Sequence, residues 1–459
     1  MTSESDRDKT LAERTKTGLN NLVGAASRYY QAGRLEDAEA AYRSALALAP
    51  SDTAITHNLG VIAAALGRQQ NAIALFDDVI ARQPRYVSAH YNRALALLAL
   101  GQSRAAIEGL SRTCAFEPEH YSAHRALGFL WLAEGQRGRA LDHFARTYEL
   151  RRGEDRSDLA AKSLTQATRG KLLHDAEQFH YLAERARDPE RFNALARAYG
   201  EVAQGIREQL EQLSDRQIEQ LGNDYNGPIN IRGAPELTGR AVSERSDLGV
   251  LMRGFRGGRT GAIYFDDLLT PEALRRLQSY LLESTIWHDF SHIGGFVASY
   301  LEDGLACPLI LQIADEIRGT FPELLAEHPL SQAWAFKGLW TTSAIDVHAD
   351  DAAISVNFWV SPTEANLNPG QSGLVVGLVP PPEDWDISGY AADQERIVVF
   401  LEQNAHDTLR VPYRENRAVL FESRLFHKSD APEFALGYKN HRINLTFLYG
   451  RHGAPQRQA

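Results

Sequence analysis

The N-terminal third of the chain carries apolar residues at helical spacing. In THNLGVIAAALGRQQNAIALFDDVIARQP (residues 56–84), apolar side chains recur every three or four positions on both sides of a short polar interruption. Gly67 follows the first apolar stretch and Pro84 follows the second. Because glycine commonly ends a helix and proline commonly follows one, the pattern predicts two helices joined by a tight turn.

This pattern recurs with a period of 34 residues. The markers of the period are Pro50, Pro84 and Pro118; Gly33, Gly67, Gly101 and Gly135; and Ala38, Ala72, Ala106 and Ala140. A repeat of this length predicts stacked helix hairpins. The four copies, over residues 19–152, resemble the tetratricopeptide repeat. Arg152 stands where the last proline is expected, so we predict that the helices continue beyond it.

Side-chain size alternates in a way that suits close helix packing. Small residues in the first helices of the hairpins, and the alanine series in the second, let paired helices approach. Larger residues are expected to fill the space between neighbouring hairpins. The small residues of the first helices are Gly60, Ala94 and Gly128, and the larger residues are Tyr42, Phe76, Leu110 and Phe144.

The concave face of such a stack usually binds a peptide or a partner protein. The proline register places Val23, His57, Tyr91 and Arg125 at the fifth positions of the first helices, and Gly24, Asn58, Asn92 and Ala126 at the sixth. Tetratricopeptide grooves that grip a C-terminal carboxylate carry several lysines or arginines there, and here only Arg125 is basic. These residues fit partner docking, a self-association surface or a plain solvated face, and the three interpretations stay open.

Three segments surround the repeats. The polar, mixed-charge residues 1–18 predict a disordered tail. Residues 153–221 predict a helical extension, in which the helix starting at Asp188–Pro189 has an apolar stripe expected to pack on the end of the repeat stack. Residues 222–258 are rich in Gly, Pro and mixed charge, which predicts a linker.

Residues 259–459 predict a different class of structure. After a short strand and a helix capped by Thr270, the chain beyond residue 330 consists of short strand-like runs broken by Gly, Pro and Asn, such as AISVNFWV and RINLTFLYG. Six or more short strands in this length predict a double-sheet jelly roll or a related barrel with flanking helices. The fold class is therefore multidomain: an all-α solenoid followed by a jelly roll.

Composition narrows the function classes. The net charge of −10 and the lack of a concentrated basic face disfavour nucleic acid as a partner. No apolar run is long enough for a membrane span, so no membrane partner is expected. The two cysteines, Cys114 and Cys307, fall in different segments, which makes a disulfide framework improbable and favours a reducing cytoplasm.

The candidate chemistry starts at DVHADDAAISVNFWV (residues 346–360). His-x-Asp occurs about once by chance in a chain of this composition, so His348 and Asp350 need a further ligand. In an extended chain their side chains point to one side. His427, in NRAVLFESRLFHKSD, follows a strand 79 residues later. Two imidazoles and one carboxylate on one face are the ligand set of non-haem ferrous iron.

A strand led by arginine completes the pattern. In HRINLTFLYG, Arg442, Asn444 and Thr446 share one face, and an arginine inside a barrel suits an anionic carboxylate. The order His348-x-Asp350, His427, Arg442 over residues 259–452 resembles the Fe(II)/2-oxoglutarate-dependent oxygenases. The family often has serine where this chain has Asn444.

The resemblance implies a set of roles. His348, Asp350 and His427 would bind Fe(II), and Arg442 would bind the distal carboxylate of 2-oxoglutarate, supported by Asn444. Asn357 is proposed to face the cosubstrate; a structural hydrogen bond in the strand explains it equally well. The cofactors implied are Fe(II), 2-oxoglutarate and O2.

Several assignments keep alternatives. Asp351 is the alternative carboxylate ligand, His406 the alternative distal histidine and Lys439 the alternative carboxylate binder. Four residues are weighed between a substrate mouth and the apolar core, the core being favoured: Trp287, His288, Trp334 and Trp340.

The leading hypothesis is an Fe(II)/2-oxoglutarate-dependent dioxygenase that hydroxylates an unactivated carbon of a peptide, protein or small-molecule substrate. The repeats would recruit the substrate, bind a partner or dimerise. The alternative is a scaffold with an inactive barrel that acts through protein–protein interaction. A cupin-like metal enzyme without cosubstrate leaves Arg442 unexplained.

Overall fold

The structure is a computed structural model that describes residues 4–153, 164–257, 261–291, 295–339, 345–382, 385, 394–404 and 407–451. The chain forms two compact units, residues 1–130 and 131–459. Each unit is described in turn. Among the described residues, no helix combines the length and the apolar character needed to cross a membrane.

The first unit is built from antiparallel helix hairpins. Its helices are α1 (Glu4–Gln31), α2 (Leu35–Leu48), α3 (Thr53–Ala65), α4 (Gln69–Arg82), α5 (Val87–Ala99) and α6 (Ser103–Phe116), followed by the start of α7 (Tyr121–Ala133). Gly67 follows α3 with a φ of +76°, a left-handed conformation that glycine adopts without strain. Asp52 caps α3 by accepting hydrogen bonds from the N–H groups of Ala54 and Ile55. The predicted hairpins are therefore present.

Close packing within the hairpins follows the predicted size pattern. Ala38, Ala72 and Ala106 are fully buried. Phe76 is also fully buried and lies against Gly60, where an added Cβ would come within 2.6 Å of its Cε1 atom. Since real Cβ contacts are never that short, the ring of Phe76 occupies the space that the glycine leaves.

Residues 4–18, which the sequence analysis assigns to a disordered tail over residues 1–18, belong to α1 in the structure. The segment ESDRDKTLAERTKTG has no apolar face of its own, and that absence suggested disorder. Its Glu, Lys, Arg and Ala residues nevertheless have high helix propensity, so the helix can extend N-terminal to its packed part without an additional core.

Within the described ranges, the second unit contains the remaining helices and all of the strands. Its helices are α8 (Arg137–Arg152), α9 (Arg169–Ala183), α10 (Pro189–Gln204), α11 (Asp215–Leu221), α12 (Leu248–Arg256), α13 (Pro271–Glu283), α14 (Pro308–Thr320), α15 (Pro322–Leu325) and α16 (Gln394–Gln403). Thr270 caps α13 through its side chain, as the sequence indicates. The same capping geometry is seen at α10, where the side chain of Asp188 accepts from the N–H of Arg191.

The helical extension packs on itself. The apolar stripe of α10, including Phe192, Tyr199 and Val202, lies against α9 in a cluster with Leu172 and Phe179. The expectation that this stripe covers the end of the repeat stack is therefore wrong, because α9 already supplies a matching apolar face next to it in the chain.

Residues 222–257 are more than a linker. They contain α12, and Tyr225, Asn226 and Val242 are buried. The side chain of Asn226 donates a hydrogen bond to the backbone oxygen of His288 (3.1 Å). The Gly and Pro content that suggested a linker reflects irregular backbone that is nonetheless packed.

Two antiparallel sheets form the C-terminal region. The strands are β3 (Ala262–Phe265), β4 (Phe296–Tyr300), β5 (Leu330–Gly338), β6 (Ile354–Trp359), β7 (Leu374–Gly377), β8 (Thr408–Val411), β9 (Ala418–Glu422), β10 (His427–Ser429) and β11 (Ile443–Tyr449), and a separate short pair joins β1 (Gln166–Ala167) to β2 (Glu211–Gln212). One sheet has the order β3-β9-β6-β11-β5-β4, and the other has the order β10-β7-β8. Neither sheet closes on itself, and the predicted sheet-rich region is present.

The two sheets share an apolar core. One cluster joins residues of the six-stranded sheet, such as Trp359 and Phe421, to residues of the three-stranded sheet, such as Val376 and Val411. The face of the six-stranded sheet that carries Trp359 and Phe421 is called the inner face below. Strand alternation also places Ser355 and Asn357 on this face.

A buried ion pair fixes the end of α8. The guanidinium of Arg152 donates from Nε and Nη2 to the two carboxylate oxygens of Asp303 at 2.8 and 2.6 Å, and both side chains are buried. Asp303 ends a 3-10 turn, Leu301–Asp303, that follows β4. The residue that replaces the expected repeat proline therefore anchors the last repeat helix to the sheet region.

We expect Asp303→Ala to destabilise the second unit by about 3–5 kcal/mol, because Arg152 would lose a buried carboxylate. Urea denaturation followed by tryptophan fluorescence measures this unit, since all six tryptophans lie within residues 131–459. Glu149→Ala is the control, because its pair with Arg146 is exposed and is expected to contribute less than about 1 kcal/mol. Equal effects of the two substitutions would contradict an anchoring role for Asp303.

Candidate metal centre

Two distant chain segments meet at the centre through their backbones. His348 lies shortly before β6, and His427 is the first residue of β10. The N–H of His348 donates to the oxygen of His427 (3.0 Å), and the N–H of His427 donates to the oxygen of His348 (2.8 Å). The N–H of Asp350 donates to the oxygen of Ser423 (3.0 Å), so a second bond aligns the same two segments.

The three predicted ligands form one cluster. Ligand atoms of His348, Asp350 and His427 all lie within 4.8 Å of one another. The Nε2 atom of His348 is 3.7 Å from Oδ1 of Asp350, and the Nε2 atom of His427 is 3.5 Å from Oδ2. Asp350 and His427 are buried, whereas 37% of the His348 side chain is exposed. The cluster is therefore open on the side of His348.

Backbone hydrogen bonds orient both imidazoles. The Nδ1 atom of His348 is 2.8 Å from the oxygen of Asp346, and the Nδ1 atom of His427 is 3.0 Å from the oxygen of Leu425. A carbonyl oxygen can only accept, so Nδ1 is assigned the proton and Nε2 keeps its lone pair. Both rings therefore present an unprotonated nitrogen toward the carboxylate, as metal ligands do.

Burial keeps His427 neutral. Burial and, to a smaller extent, the neighbouring His348 lower the pKa of His427 to about 4, against the opposing effect of Asp350. A histidine must be neutral to bind a metal. At neutral pH the ring of His427 is therefore already in the form that a metal requires.

Serines fix the carboxylate of Asp350. The hydroxyl of Ser355 donates to Oδ2 of Asp350 (2.6 Å), and the Ser355 and Ser423 hydroxyls are 2.8 Å apart. Both serines are fully buried. Sequence reasoning placed Ser355 on the correct strand face but assigned it no role; Ser423, whose hydroxyl and backbone oxygen both contribute, was missed altogether.

The structure places two of the alternative residues outside the candidate site. Asp350 belongs to the cluster, whereas its neighbour Asp351 is exposed and outside it. Lys439 is exposed in the 3-10 turn Tyr438–Asn440, while Arg442 is buried. His406, the alternative distal ligand, lies outside the described residues.

Arg442 is a buried cation that pairs with neutral groups. Its Nε donates to the oxygen of Ser372 (3.1 Å) and its Nη2 to the oxygen of Gly373 (3.4 Å). Within the described part of the chain, no carboxylate forms an ion pair with it. Burial lowers the pKa of Arg442 to about 10, so the guanidinium stays charged at neutral pH. A buried charge of this kind is costly unless an anion joins it.

The two predicted asparagines lie on the inner face, between the metal cluster and Arg442. Asn357 is paired across the sheet with Thr446, and Asn444 with Trp359. The Nδ2 atom of Asn444 donates to Oγ1 of Thr446 (3.2 Å). The Oδ1 atom of Asn357 is buried and has no hydrogen-bond partner among the described residues.

The aromatic candidates for a substrate mouth differ in their burial. Trp287 is buried, with its Nε1 donating to the oxygen of Leu281, and His288 is buried with its Nε2 2.7 Å from the hydroxyl of Tyr148. Trp334 is half-buried on β5, and Trp340 lies outside the described residues. Trp287 and His288 therefore lie in the core, whereas Trp334 is only half-buried.

Comparison with known proteins identifies the helical part. The tetratricopeptide repeat family model matches residues 23–87 and 70–114. No curated protein matches the chain. The helical hairpins are tetratricopeptide repeats, as the period of 34 residues predicts, and a repeat of this kind commonly mediates protein–protein interaction.

Solved structures with similarity to parts of the chain include the crystal structure of MamA, which is 20% identical and covers 32% of this chain and 95% of that chain, with a TM-score of 0.28. The first TPR of Spaghetti (RPAP3) bound to the HSP90 peptide SRMEEVD is 19% identical over 26% of this chain and 94% of that chain, with a TM-score of 0.25. An O-GlcNAc transferase mutant of Thermobaculum terrenum is 26% identical over 29% of this chain and 27% of that chain, with a TM-score of 0.27.

We expect Ser355→Ala to weaken divalent metal binding by about 10- to 100-fold, because the carboxylate of Asp350 would lose the donor that orients it. Titration with Co(II) in competition with a chelator measures the affinity. Ser331→Ala is the matched control, since Ser331 is in the same region but donates to the oxygen of Leu448. Unchanged affinity in Ser355→Ala would show that Asp350 does not bind the metal in the described orientation.

Proposed function

We propose that this protein is an Fe(II)- and 2-oxoglutarate-dependent dioxygenase that hydroxylates a carbon of a peptide, protein or small-molecule substrate. The observation that carries the proposal is that a candidate metal-ligand cluster and a buried arginine lie in the same sheet region. His348, Asp350 and His427 form a three-residue cluster, and Arg442, directly before β11, is a buried cation with no carboxylate partner among the described residues.

The architecture supports a double-stranded β-helix, or jelly roll. Such a fold consists of two antiparallel sheets that face each other across an apolar interior. Here the six-stranded and three-stranded sheets share one core cluster, and the ligands come from both sides: Asp350 is bonded to Ser355 of β6, whereas His427 starts β10. A metal held between two sheets is fixed by backbone pairing rather than by one flexible loop.

The donor set fits Fe(II). Two neutral imidazoles and one carboxylate on one face are the ligands of non-haem ferrous iron and leave further coordination positions open. The open side at His348 provides access for small ligands. Ser355 donates to Oδ2 of Asp350 and so orients the carboxylate that would hold the metal.

Arg442 fits the distal carboxylate of 2-oxoglutarate. Its planar guanidinium suits a bidentate carboxylate. The buried charge donates hydrogen bonds to the carbonyl oxygens of Ser372 and Gly373 and lies 5.7 Å from the ring centroid of Trp359, so an anion would neutralise it. Asn444 and Asn357 lie between Arg442 and the cluster on the inner face. We assign them polar contacts to the cosubstrate, with the unpartnered Oδ1 atom of Asn357 as the group that needs one.

When bound, the iron would supply oxidation of a substrate C–H to C–OH by O2, coupled to conversion of 2-oxoglutarate into succinate and carbon dioxide. The residues of this chain would do the rest. His427 is kept neutral by burial, Asp350 is held by two serines, and Arg442 orients the dicarboxylate. Burial of these groups excludes water from the cosubstrate end of the site.

The repeats would recruit the substrate carrier, bind a partner protein or mediate self-association. Their groove residues are already engaged with one another: Asn92 is 3.0 Å from the Nε2 atom of His57, and Tyr91 packs on His120 with ring centroids 4.7 Å apart. A groove with these neutral contacts does not suit a strongly acidic C-terminal peptide.

A scaffold with an inactive barrel remains the second proposal, because the tetratricopeptide repeats alone support protein–protein interaction. The two proposals differ in one property. The oxygenase must bind Fe(II) and 2-oxoglutarate, whereas the scaffold has no need of either.

We expect the protein with Fe(II), 2-oxoglutarate and O2 to form succinate even without substrate, and His427→Ala to lose both iron retention and succinate formation. Iron content and succinate are measured on the same samples. His180→Ala, an exposed histidine of α9, is the control and is expected to behave as the unmodified protein. No iron binding and no succinate in the unmodified protein would favour the scaffold; normal iron content in His427→Ala would shift attention to His406.

For Arg442→Met we expect the KM for 2-oxoglutarate to rise at least about thirtyfold, since losing a buried charge partner costs about 2 kcal/mol or more. Iron binding should persist, because Arg442 does not contact the cluster ligands. Arg410→Met, which removes an exposed arginine of β8, serves as the control. A KM that stays constant in Arg442→Met would exclude Arg442 as the cosubstrate anchor.

A further inference from the structure

Arg442 lies just outside a regular strand. The strand β11 begins at Ile443, whose partner across the sheet is Lys337 of β5. The position of the Arg442 backbone therefore depends on contacts beyond the end of the regular strand pairing. Because the side chain of Arg442 is the proposed anchor for 2-oxoglutarate, those contacts also set the position of its guanidinium.

Two hydrogen bonds to Gly338 continue the pairing past the end of the strand. The N–H of Gly338 donates to the backbone oxygen of Arg442 (2.8 Å). The Nδ1 atom of His441 lies 2.8 Å from the backbone oxygen of Gly338, and since a carbonyl oxygen can only accept, Nδ1 is assigned the proton. In a regular antiparallel pair this second bond would come from a backbone N–H group. Here an imidazole supplies it.

Ser361, shortly after β6, holds the same segment from the other side. Its hydroxyl donates to the backbone oxygen of His441 (2.6 Å) and accepts from the N–H of Ile443 (2.8 Å). The peptide groups around Arg442 are therefore bonded on one side to β5 and on the other side to Ser361. The imidazole of His441 differs from these contacts because it also reaches a helix.

The helix that His441 reaches belongs to the helical extension. Its Nε2 atom lies 3.0 Å from Oε2 of Glu177 on α9; the His441 side chain is buried, whereas 37% of the Glu177 side chain is exposed. That oxygen of Glu177 accepts no hydrogen bond among the described residues, so the contact is an ion pair rather than a well-aligned hydrogen bond. The attraction requires a proton on Nε2, because a lone pair there would face a carboxylate.

The turn before His441 packs on the same helix. The 3-10 turn Tyr438–Asn440 ends directly before His441. The ring centroid of Tyr438 is 5.7 Å from that of His174 on α9, and the rings of His174 and His441 are 6.3 Å apart. His174 and Tyr438 are both buried. The helix α9 therefore supports the stretch of chain that leads into Arg442.

We propose that His441 is a positioning residue for the cosubstrate. Held by Glu177, its imidazole fixes the backbone of Arg442 through Gly338 and thereby directs the guanidinium toward the distal carboxylate of 2-oxoglutarate. The inference rests on the proposed function, because His441 acts through Arg442. It makes the helical extension, through α9, a part of the cosubstrate site rather than a spacer between the repeats and the sheets.

The test uses the full chain with Fe(II), 2-oxoglutarate and O2, and follows succinate over a range of 2-oxoglutarate concentrations. His441→Ala removes both contacts of the imidazole. We expect the KM for 2-oxoglutarate to rise about tenfold, less than in Arg442→Met, because the guanidinium is misplaced rather than lost. Iron content and kcat should change by less than about twofold, since His441 does not touch the cluster ligands.

Two measurements do not depend on turnover. Isothermal titration of 2-oxoglutarate under anaerobic conditions should show the same loss of affinity in His441→Ala as the KM. Hydrogen exchange of peptides containing Gly338, in the protein without added metal, reports the bond from its N–H to Arg442. We expect this amide to exchange about tenfold faster in His441→Ala, because the bond beside it is lost.

Two further variants separate the contacts of the imidazole. His441→Asn keeps a side-chain donor near the place of Nδ1, so its KM for 2-oxoglutarate should stay within about threefold of the unmodified protein. Glu177→Ala removes the carboxylate from a partly exposed position, where folding is expected to persist, and should raise the KM about threefold. If His441→Ala does not fold, these two variants decide the question.

Gln178→Ala is the matched control. Gln178 is buried on α9 next to Glu177, and its Nε2 atom donates to the backbone oxygens of Leu282 and Ser284. We expect its loss to lower the midpoint of thermal unfolding and to change the KM for 2-oxoglutarate by less than about twofold.

Four outcomes are distinguishable. A rise in KM at constant kcat, reversed in His441→Asn, supports the positioning role. Equal rises in Gln178→Ala and His441→Ala would contradict it, because general loosening of α9 explains both. Unchanged KM values in His441→Ala and Glu177→Ala, in a protein that forms succinate, overturn the positioning role and leave the oxygenase standing. An unmodified protein that neither binds 2-oxoglutarate nor forms succinate overturns both proposals.

Discussion

The backbone bridge between His348 and His427 is the contact on which the candidate site depends. Two hydrogen bonds in opposite directions hold residues 79 positions apart side by side. A side-chain bond from Ser355 and a backbone bond from Ser423 then fix Asp350 relative to the same pair. Three ligand atoms meet because the antiparallel pairing aligns both segments, and a shift of one residue would turn one ligand to the other face.

Buried basic residues in the second unit are accommodated in three different ways. Arg152 has a carboxylate partner, Asp303, and stabilises the junction between α8 and the turn after β4. Among the described residues, the amine of Lys337 has no hydrogen-bond partner, and burial lowers its pKa well below the ordinary value, which favours the neutral form. A guanidinium keeps its charge on burial, and among the described residues Arg442 donates its hydrogen bonds to the carbonyl oxygens of Ser372 and Gly373. An anionic ligand, as proposed above, would neutralise this charge.

Local sequence patterns predicted much of the fold. The 34-residue period predicted the hairpins, because each turn glycine and each buried alanine reports a local requirement of helix geometry and packing. Local patterns gave less guidance for the segments described as a tail and a linker, for the opposite reason. Residues 4–18 form helix without an apolar face, and residues 222–257 pack through single residues such as Tyr225 and Val242 that no periodic pattern marks.

The sequence by itself determined the repeats and the short-strand character of the C-terminal region. It also supplied the candidate chemical groups: two histidines, an aspartate, and an arginine at the start of a strand-like segment. Only the tertiary structure decided that Asp350 rather than Asp351 joins the cluster, that Arg152 is an anchor and that Trp334 is half-buried beside Phe336. These outcomes depend on strand register and on partners far apart in the chain. Local spacing fixes which face a side chain occupies, but pairing across the sheet fixes what it meets there.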